Sequence, residues 1–398
     1  MAHINPNFRN VAEGYFFSEI GKRVAAFSAE NPGVELYRLG IGNTTEALTP
    51  AIIRGLTHGV EKLSRRETYA GYGDEQGDAR LRKAVVALYA ERGISFAPNE
   101  VFISDGAKSD CANIMSIFSP KSVIAVSDPV YPVYRDAALL SGKKVTYMNA
   151  TEKNSFFPAP PSEHADLIFL CSPNNPTGAV ATKAQLKRFV DYAIKHKAII
   201  LFDAAYSEFI RDASLPKSIY EIKGAKRCAI EIQSFSKSAG FTGVRLGWTV
   251  VPNDLVIADA PQGVLNQMWN RRQTTMFNGA SNIAQEGGLA ALSAAGQQQT
   301  RRQIAFYMDN ARIIRDGLRK SGFTIYGGEN APYVWLKCPK GRTSWEFFDD
   351  LLAVAHVITT PGIGFGSQGE GYLRLSAFGS RKTITKAINS IQKHFARV

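Results

Sequence analysis

The sequence has few cysteines and no long apolar stretch. The first shortage argues against a metal site built from cysteines, and the second argues against a membrane-spanning protein. Its four cysteines, Cys111, Cys171, Cys228 and Cys338, lie far apart in apolar surroundings and show no spacing typical of a metal site. We expect them to be reduced and buried. No apolar run is long enough to span a membrane, and the amino terminus lacks a basic region followed by an apolar core. A cytoplasmic location is therefore expected.

Clustered positive charge is also missing, although the formal net charge is +12. The basic residues are scattered, without the sustained Lys/Arg block or interleaved aromatic residues of a nucleic-acid-binding face. We therefore expect neither a nucleic-acid nor a membrane partner, and we interpret the excess as attraction for anionic substrates and phosphate. With 398 residues, of which 45% are hydrophobic, the chain can bury a large core and is predicted to form two lobes.

The most informative segment is Ser234-Phe235-Ser236-Lys237, followed by a glycine-spaced stretch that ends in Arg245. A lysine amine can condense reversibly with an aldehyde, and flanking hydroxyls, backbone N–H groups and an arginine can hold a phosphate. This combination predicts that Lys237 anchors pyridoxal 5′-phosphate and acts as the base, with Ser234, Ser236 and Arg245 at the phosphate. The alternative is a surface lysine in a flexible loop.

Upstream, Asp203 ends an apolar run that is typical of a buried parallel strand. Open α/β sheets bind ligands at the carboxyl ends of such strands, and a carboxylate there would keep a pyridine nitrogen protonated. Asp203 is therefore the predicted partner of the cofactor ring nitrogen, and Tyr206 is predicted to donate to the ring oxygen. The alternatives are a helix-capping aspartate and a core tyrosine.

A rigid turn, Ser172-Pro173-Asn174-Asn175-Pro176-Thr177-Gly178, follows the apolar run 167–171 and precedes a helical pattern from Thr182. Two prolines and a glycine can present the Asn175 amide at a fixed angle. An amide so placed can donate to the ring oxygen. An ordinary strand-to-helix loop is the alternative.

Two more segments follow predicted strands. Gly106 and Ala107 begin a helix after the strand 101–103, and they are small enough to let an anion approach the free N–H groups. Tyr131 lies between prolines after the strand 123–126 and is predicted to stack on the cofactor ring. The alternatives are a simple helix cap and an aromatic residue used for packing.

The segment 371–376 alternates like a strand and holds Arg374 among apolar neighbours. An inward-facing arginine needs an anionic partner, and its planar fork suits a carboxylate. Arg374 is therefore predicted to bind the α-carboxylate of the substrate, and a structural salt bridge is the alternative. We expect Arg381, on the helix that follows, to be solvated.

The order of elements predicts three parts. Residues 1–46 form an amino-terminal arm and part of a small domain, residues 47–290 a large domain of alternating strands and helices, and residues 291–398 the rest of the small domain. The glycine-rich segment 362–366 has no helix continuation typical of a nucleotide loop, so a hinge or cleft wall is predicted there.

Taken in order, these segments resemble the fold-type I, class I/II aminotransferases from end to end. The resemblance implies an α/β fold, in which a mostly parallel seven-stranded sheet flanked by helices is joined by a smaller α+β domain. It also implies pyridoxal phosphate as cofactor and a homodimer with shared active sites. The residues that carry it are Gly106-Ala107-Lys108, Tyr131, Asn175-Pro176-Thr177-Gly178, Asp203, Tyr206, Ser234, Ser236-Lys237, Arg245 and Arg374.

A narrower resemblance is to the branch of this family that acts on LL-diaminopimelate. It implies that LL-2,6-diaminopimelate and 2-oxoglutarate are interconverted with tetrahydrodipicolinate and L-glutamate in lysine biosynthesis. The segments that carry it are Pro6-Asn7-Phe8, Gly14-Tyr15-Phe16-Phe17, residues 69–77, Ser236-Lys237 with residues 240–248, and Phe277-Asn278-Gly279-Ala280-Ser281.

The resemblance also assigns residues to the substrate and to the neighbouring subunit. Tyr15, Gly42, Glu75 and Asn278 are implied to hold the substrate, with Glu75 and Asn278 supplied by the neighbour, and Tyr72 is implied to reach the cofactor phosphate across the interface. An exposed loop carboxylate is the alternative for Glu75. The residues implied to contact both cofactor and substrate are Lys108, Tyr131 and Asn175.

Three other readings remain open at this point. An aminotransferase of broader specificity, acting on aspartate, alanine or aromatic amino acids, would keep every cofactor residue. A lyase on the same scaffold would release pyruvate and ammonia without consuming 2-oxoglutarate. A transcription regulator that reuses the fold would need an added DNA-binding domain, and the catalytic pattern begins too near the amino terminus to leave room for one.

Overall fold

The computed structural model describes residues 1–11 and 16–395, and its strands form three sheets. The predicted site residue Tyr15 lies outside the described residues. The strands are β1 Tyr37–Arg38, β2 Val101–Ser104, β3 Val123–Asp128, β4 Lys144–Asn149, β5 Leu167–Cys171, β6 Ile199–Asp203, β7 Ala229–Ser234, β8 Gly247–Val250, β9 Ile325–Gly327, β10 Tyr333–Lys337, β11 Val357–Ile358, β12 Thr360–Pro361 and β13 Tyr372–Ser376.

Helices alternate with the strands along most of the chain. The helix predicted from Thr182 begins there, because the Thr182 side chain accepts from the N–H of Gln185 in a capping box. The α-helices are α1 Phe16–Glu30, α2 Pro50–Leu63, α3 Ala79–Ala90, α4 Ala107–Asn113, α5 Val133–Leu140, α6 Lys183–His196, α7 Phe235–Ser238, α8 Val264–Met276, α9 Asn282–Leu292, α10 Ala294–Lys320, α11 Ser344–Ala355 and α12 Arg381–Phe395.

The largest sheet has seven strands in the order β2-β8-β7-β6-β5-β3-β4. Its neighbours pair in parallel from β7 to β4, whereas β8 runs antiparallel to both β2 and β7. This is the mostly parallel seven-stranded sheet that the resemblance implied, and the predicted fold class is confirmed.

Both faces of this sheet are buried, because successive strand residues point to opposite sides. On β5, Leu167, Phe169 and Cys171 belong to one apolar cluster, and Ile168 and Leu170 belong to another. Helices α3, α6 and α9 cover one face, and α4, α5 and α8 cover the other. The three layers hold the sheet rigid, so residues that follow its strands are held in fixed positions.

A second, antiparallel sheet has the order β12-β13-β10-β9 and packs with α10, α11 and α12 around a separate apolar cluster. Strand β1 pairs in parallel with β11, so the amino-terminal part joins the carboxy-terminal part. The division of the chain at residues 46 and 290 stays a prediction. Within residues 1–11 and 16–395, no helix combines the length and the apolar character needed to cross a bilayer.

Candidate active site

The carboxyl ends of six strands meet at one edge of the large sheet. Strands β2 to β7 all run in the same direction, and β8 starts at the edge where they end. This edge is where open α/β sheets bind ligands. The predicted site residues at or just beyond these ends are Ala107, Tyr131, Asn175, Asp203, Tyr206 and Lys237, with Arg245 just before β8.

These residues line one cavity of about 430 Å³, within the usual range of small-molecule sites. Its wall also includes Arg374 from β13 of the second sheet. The lining residues are Ile41, Gly42, Asn43, Ala107, Lys108, Tyr131, Tyr134, Asn175, Asp203, Ala205, Tyr206, Ser234, Ser236, Lys237, Thr242, Arg245, Tyr333 and Arg374.

Lys237 lies on the one-turn helix α7, which begins directly after β7. Its Nζ donates to the Gly42 carbonyl and lies 5.6 Å from the centre of the Phe378 ring. Burial, aided by the positive charges of Arg374 and Arg245, lowers the pKa of Lys237 to about 8. A useful fraction of the amine is therefore neutral near neutral pH, which a nucleophile or base requires.

Asp203, at the end of β6, places a buried carboxylate in the cavity wall. Its Oδ2 accepts from the Tyr134 hydroxyl at 2.5 Å and from Cys111 Sγ at 3.8 Å, and its Oδ1 accepts from the Ala205 N–H at 2.9 Å. Burial raises the pKa of Asp203, and these donors oppose the rise. A cationic ring atom beside the Asp203 carboxylate would favour the charged form of that carboxylate, so this position suits a protonated pyridine nitrogen.

Arg374 is buried and held by two strong hydrogen bonds. Its Nη1 donates to Asn175 Oδ1 at 2.7 Å and its Nη2 to the Gly40 carbonyl at 2.6 Å. The guanidinium carbon also lies 4.8 Å from the centre of the Tyr333 ring and 4.9 Å from that of Phe365. The guanidinium plane is thereby fixed at the cavity wall, as bidentate binding of a carboxylate requires.

Arg245, Ser234 and Ser236 form a polar corner beside the start of α4. Arg245 Nη1 donates to Ser236 Oγ at 3.4 Å, and Ser234 Oγ accepts from the Ser236 N–H at 3.0 Å. A Cβ at Gly106 would lie 2.7 Å from Arg245 Nη2, so a larger residue would displace the guanidinium, and the φ of +129° at this position also favours glycine. Arg245 itself has a φ of +68°, a strained conformation often found at functional sites. The corner can accept an anion such as a phosphate.

The residues that the resemblance gave to the neighbouring subunit lie outside this cavity. Tyr72 is 90% exposed, Asn278 is exposed and Glu75 is half-buried. The loop at 278–279 lies against Glu75, because a Cβ at Gly279 would be 3.6 Å from the Glu75 Cα. These residues form a second, solvent-facing region, referred to below as the distal face.

Comparison with known proteins decides the family. The model of the family described as aminotransferase class I and II matches residues 34–391. The chain belongs to the class I and II aminotransferases. This confirms the predicted family and the predicted enzyme class, and members of this family depend on pyridoxal phosphate.

Relatives of this aminotransferase include proteins from the predicted branch. An LL-diaminopimelate aminotransferase from Parabacteroides distasonis is 48% identical over 406 residues, which cover 99% of each chain. Another, from Agathobacter rectalis, is 50% identical over 405 residues, covering 98% of this chain and 100% of the relative. The structure of L,L-diaminopimelate aminotransferase from Chlamydomonas reinhardtii matches with a TM-score of 0.93 at 44% identity, covering 99% of both chains. The predicted similarity to that branch is confirmed.

Several residues that contact the predicted site residues of this aminotransferase were missed by the sequence motifs. Tyr134 and Cys111 contact Asp203, and Tyr333 contacts Tyr206. Tyr134 had a detectable signal, since it lies three residues after the predicted stacking residue Tyr131 on the same segment. Cys111 and Tyr333 had none, because their contacts join elements that are distant in sequence.

Two minor expectations were wrong. Cys338 is half-buried rather than buried, although all four cysteines are free, as expected. Arg381 is not simply solvated, because its guanidinium lies 4.9 Å from the centre of the Phe306 ring and donates to the Phe306 carbonyl.

Proposed function

We propose that this aminotransferase interconverts LL-2,6-diaminopimelate and 2-oxoglutarate with tetrahydrodipicolinate and L-glutamate, a step of lysine biosynthesis. The observation that carries the proposal is the 48% and 50% identity, over nearly the whole chain, to two LL-diaminopimelate aminotransferases. The TM-score of 0.93 with the Chlamydomonas reinhardtii protein supports it.

Pyridoxal 5′-phosphate fits the residues of the cavity. The buried Asp203 carboxylate suits the ring nitrogen, and Lys237 offers a partly neutral amine for its aldehyde. Arg245 and Ser236, beside the backbone of Gly106, suit its phosphate. When bound, this cofactor supplies an electron sink for the negative charge that develops when the substrate loses its α-proton.

Lys237 moves the proton in the proposed mechanism. Its Nζ, with a pKa of about 8, is neutral in part near neutral pH and can take a proton from the substrate α-carbon. The same atom would then deliver that proton to the C4′ carbon of the cofactor, and the reverse transfer would serve the other half of the exchange. Tyr131, at the same cavity wall, is proposed to cover the ring and keep it in the plane that Lys237 can reach.

Arg374 and Asn175 orient the substrate and the ring together. Arg374 is proposed to bind the α-carboxylate that amino acid and keto acid share, which explains how one site serves both halves of the exchange. Because Asn175 Oδ1 accepts from Arg374, its Nδ2 is left to donate to the ring oxygen. Tyr206 is proposed to donate to that same oxygen.

The distal face is proposed to complete the site of a second copy of the chain. In a homodimer, Glu75 would pair with the second ammonium group of diaminopimelate, Asn278 would contact the distal end, and Tyr72 would reach the phosphate of the partner's cofactor. Tyr15 and Gly42 would contact the substrate within the same chain, and Lys108 would lie near both cofactor and substrate. A cytoplasmic location stays part of the prediction.

The substrate is tested with each diaminopimelate isomer. The purified protein is incubated with the LL, meso or DD form and 2-oxoglutarate, and glutamate formation is followed. We expect a strong preference for the LL form. Equal rates with aspartate would instead indicate the aminotransferase of broader specificity, and release of pyruvate and ammonia without use of 2-oxoglutarate would indicate a lyase.

A further inference from the structure

A pair of buried tyrosine hydroxyls lies at the cavity wall, and one of the two residues has no role in the mechanism above. Tyr333 begins β10 and is 1% exposed, and its hydroxyl lies 2.8 Å from that of Tyr206. The two ring centres are 5.2 Å apart. The pair therefore joins the second sheet to the residue that is proposed to donate to the cofactor ring oxygen.

The count of hydrogens decides the direction of this bond. Each phenol carries one hydrogen, and burial raises the pKa of both Tyr206 and Tyr333, so both stay protonated. In the pair itself, either hydroxyl could be the donor, and within residues 1–11 and 16–395 the Tyr333 hydroxyl bonds to Tyr206 alone. Tyr206 has a single hydrogen, and in the proposed function this hydrogen goes to the cofactor ring oxygen. The hydrogen between the two phenols must then come from Tyr333.

Gly42 holds the Tyr333 hydroxyl in place from the other side. A Cβ at position 42 would lie 2.5 Å from the Tyr333 oxygen, so the hydroxyl occupies the space where a larger residue's side chain would begin. The Gly42 carbonyl in turn accepts from Lys237 Nζ. The hydroxyl is thus fixed between Tyr206 and the segment that contacts Lys237.

The ring of Tyr333 makes a separate contact. The Arg374 guanidinium carbon lies 4.8 Å from the ring centre, within the range of a cation–π interaction. This contact uses the ring face and does not need the hydroxyl. Tyr333 therefore contacts both Tyr206, which is proposed to donate to the ring oxygen, and Arg374, which is proposed to bind the substrate carboxylate.

We propose that Tyr333 is a positioning residue with two separable roles. Its hydroxyl donates to Tyr206 and so directs the Tyr206 hydrogen toward the cofactor ring oxygen, and its ring holds the Arg374 guanidinium at the angle that a carboxylate needs. The inference rests on the proposed function, because it concerns the same cofactor and the same substrate carboxylate.

The hydroxyl role is tested on cofactor-loaded protein with Tyr333→Phe, Tyr206→Phe and the double variant. For each, the midpoint of the pH-dependent colour change of the bound cofactor is measured. We expect Tyr333→Phe to shift the midpoint in the same direction as Tyr206→Phe, by about 10–30% of that shift, the fraction by which one hydrogen bond strengthens the next. The double variant should match Tyr206→Phe alone. An unchanged midpoint in Tyr333→Phe, or additive shifts in the double variant, would overturn this role.

The ring role is tested by steady-state kinetics with the amino donor that the wild type uses best. Tyr333→Phe should leave the KM of that donor nearly unchanged, whereas Tyr333→Leu should raise it by about 3- to 30-fold, the worth of a cation–π contact. Tyr333→Met is measured alongside, because its greater length and flexibility protect against a folding defect that would hide the result. Equal KM values for Tyr333→Phe, Tyr333→Leu and Tyr333→Met would overturn the ring role.

Tyr220→Phe is the matched control. It also removes a buried hydroxyl, one that lies within hydrogen-bond distance of the Ala229 and Val250 carbonyls away from the cavity, and it should change neither the midpoint nor the KM. The wild type distinguishes a failure of the proposed function from a failure of this inference. If it shows no cofactor colour at all, the cofactor proposal and this inference both fail, whereas a normal wild type with unaffected Tyr333 variants refutes this inference alone.

Discussion

The cavity around Lys237 and the distal face differ in how completely one chain builds them. In the cavity, Asp203 and Arg374 are buried, and each makes hydrogen bonds to groups from other elements. On the distal face, Tyr72 is 90% exposed, and Met276, which ends α8 two residues before Asn278, is 70% exposed. A patch of exposed apolar groups is typical of a surface that a partner covers.

This difference separates the chemistry from the choice of substrate. The groups proposed to hold the cofactor, the proton and the α-carboxylate are all present within one chain, and their positions are fixed by two sheets. The groups proposed to recognise the distal end of diaminopimelate are not at that cavity, so we expect them to act on the partner's site. Substitutions in the two regions should therefore have different effects.

The largest effect is expected for Lys237→Ala. Loss of proton transfer alone should lower turnover by about 10²–10⁴-fold for every amino donor, because the same Nζ is proposed to serve each exchange. Turnover is measured by coupled glutamate formation, with Lys195→Ala on the exposed face of α6 as the control. Turnover at the wild-type rate in the Lys237 variant would remove the basis of the mechanism.

Arg374→Lys should have the next largest effect. Lysine keeps the charge but loses the planar fork. The activation free energy derived from kcat/KM should therefore rise by about 2–5 kcal/mol for all donors and acceptors alike. The fall should appear for glutamate as much as for diaminopimelate, because the α-carboxylate is common to both. A fall confined to diaminopimelate would indicate that Arg374 binds the distal end of that substrate and not the α-carboxylate.

The amine of Lys237 should also differ from exposed lysines in its response to pH. Because its pKa is lowered to about 8, its neutral form should predominate above that pH, whereas an unperturbed lysine titrates at about 10.4. Competitive acetylation of cofactor-free protein, followed by peptide mass spectrometry, measures this directly. Half-maximal labelling of Lys237 should fall near pH 8, and a midpoint shared with the exposed lysines would contradict the account.

The smallest effect is expected on the distal face. Glu75→Gln should lower kcat/KM for diaminopimelate by a factor equivalent to about 1.5–3 kcal/mol, the contribution of a hydrogen bond to a charged group, and lower that for glutamate less. The specificity constants of the two donors give this difference, with Glu67→Gln, at an exposed position in the preceding loop, as the control. Equal losses for both donors would count against a distal role for Glu75.

A mixture of variants sharpens the same comparison. In the proposed homodimer, when subunits carrying Lys237→Ala are reassembled with subunits carrying Glu75→Gln, one site of each mixed dimer would have an intact Lys237 and would receive Glu75 from its neighbour. Efficient use of diaminopimelate should therefore return in the mixture. If Glu75 served the site of its own chain, mixing would restore nothing.

Much of the cavity could be predicted from the sequence because its residues follow strands. Asp203 and Lys237 stand at the carboxyl ends of β6 and β7, and parallel strands bring such ends together whatever the length of chain between them. Arg374 could be predicted because a charged residue among apolar neighbours requires an anionic partner. In each case a local pattern was enough to place a side chain in the cavity.

Other contacts could not be predicted because they depend on how separate elements pack. The Tyr134 hydroxyl reaches Asp203 only because α5 covers the sheet face beside β6, and Tyr333 meets Tyr206 only because β10 approaches from the second sheet. Tyrosines in such positions look like ordinary core residues in the sequence. The distal face could be predicted from family resemblance alone, because no local pattern distinguishes Glu75 from a solvent-exposed carboxylate.

The most direct test of the central claim is to locate the cofactor on the chain. The wild-type protein is saturated with pyridoxal phosphate, reduced with borohydride and digested, and the modified peptide is identified by mass spectrometry. We predict one stable adduct at Nζ of Lys237, lost in Lys237→Ala. An adduct on another lysine, such as Lys108 at the same cavity, or no adduct at all, would contradict the assignment.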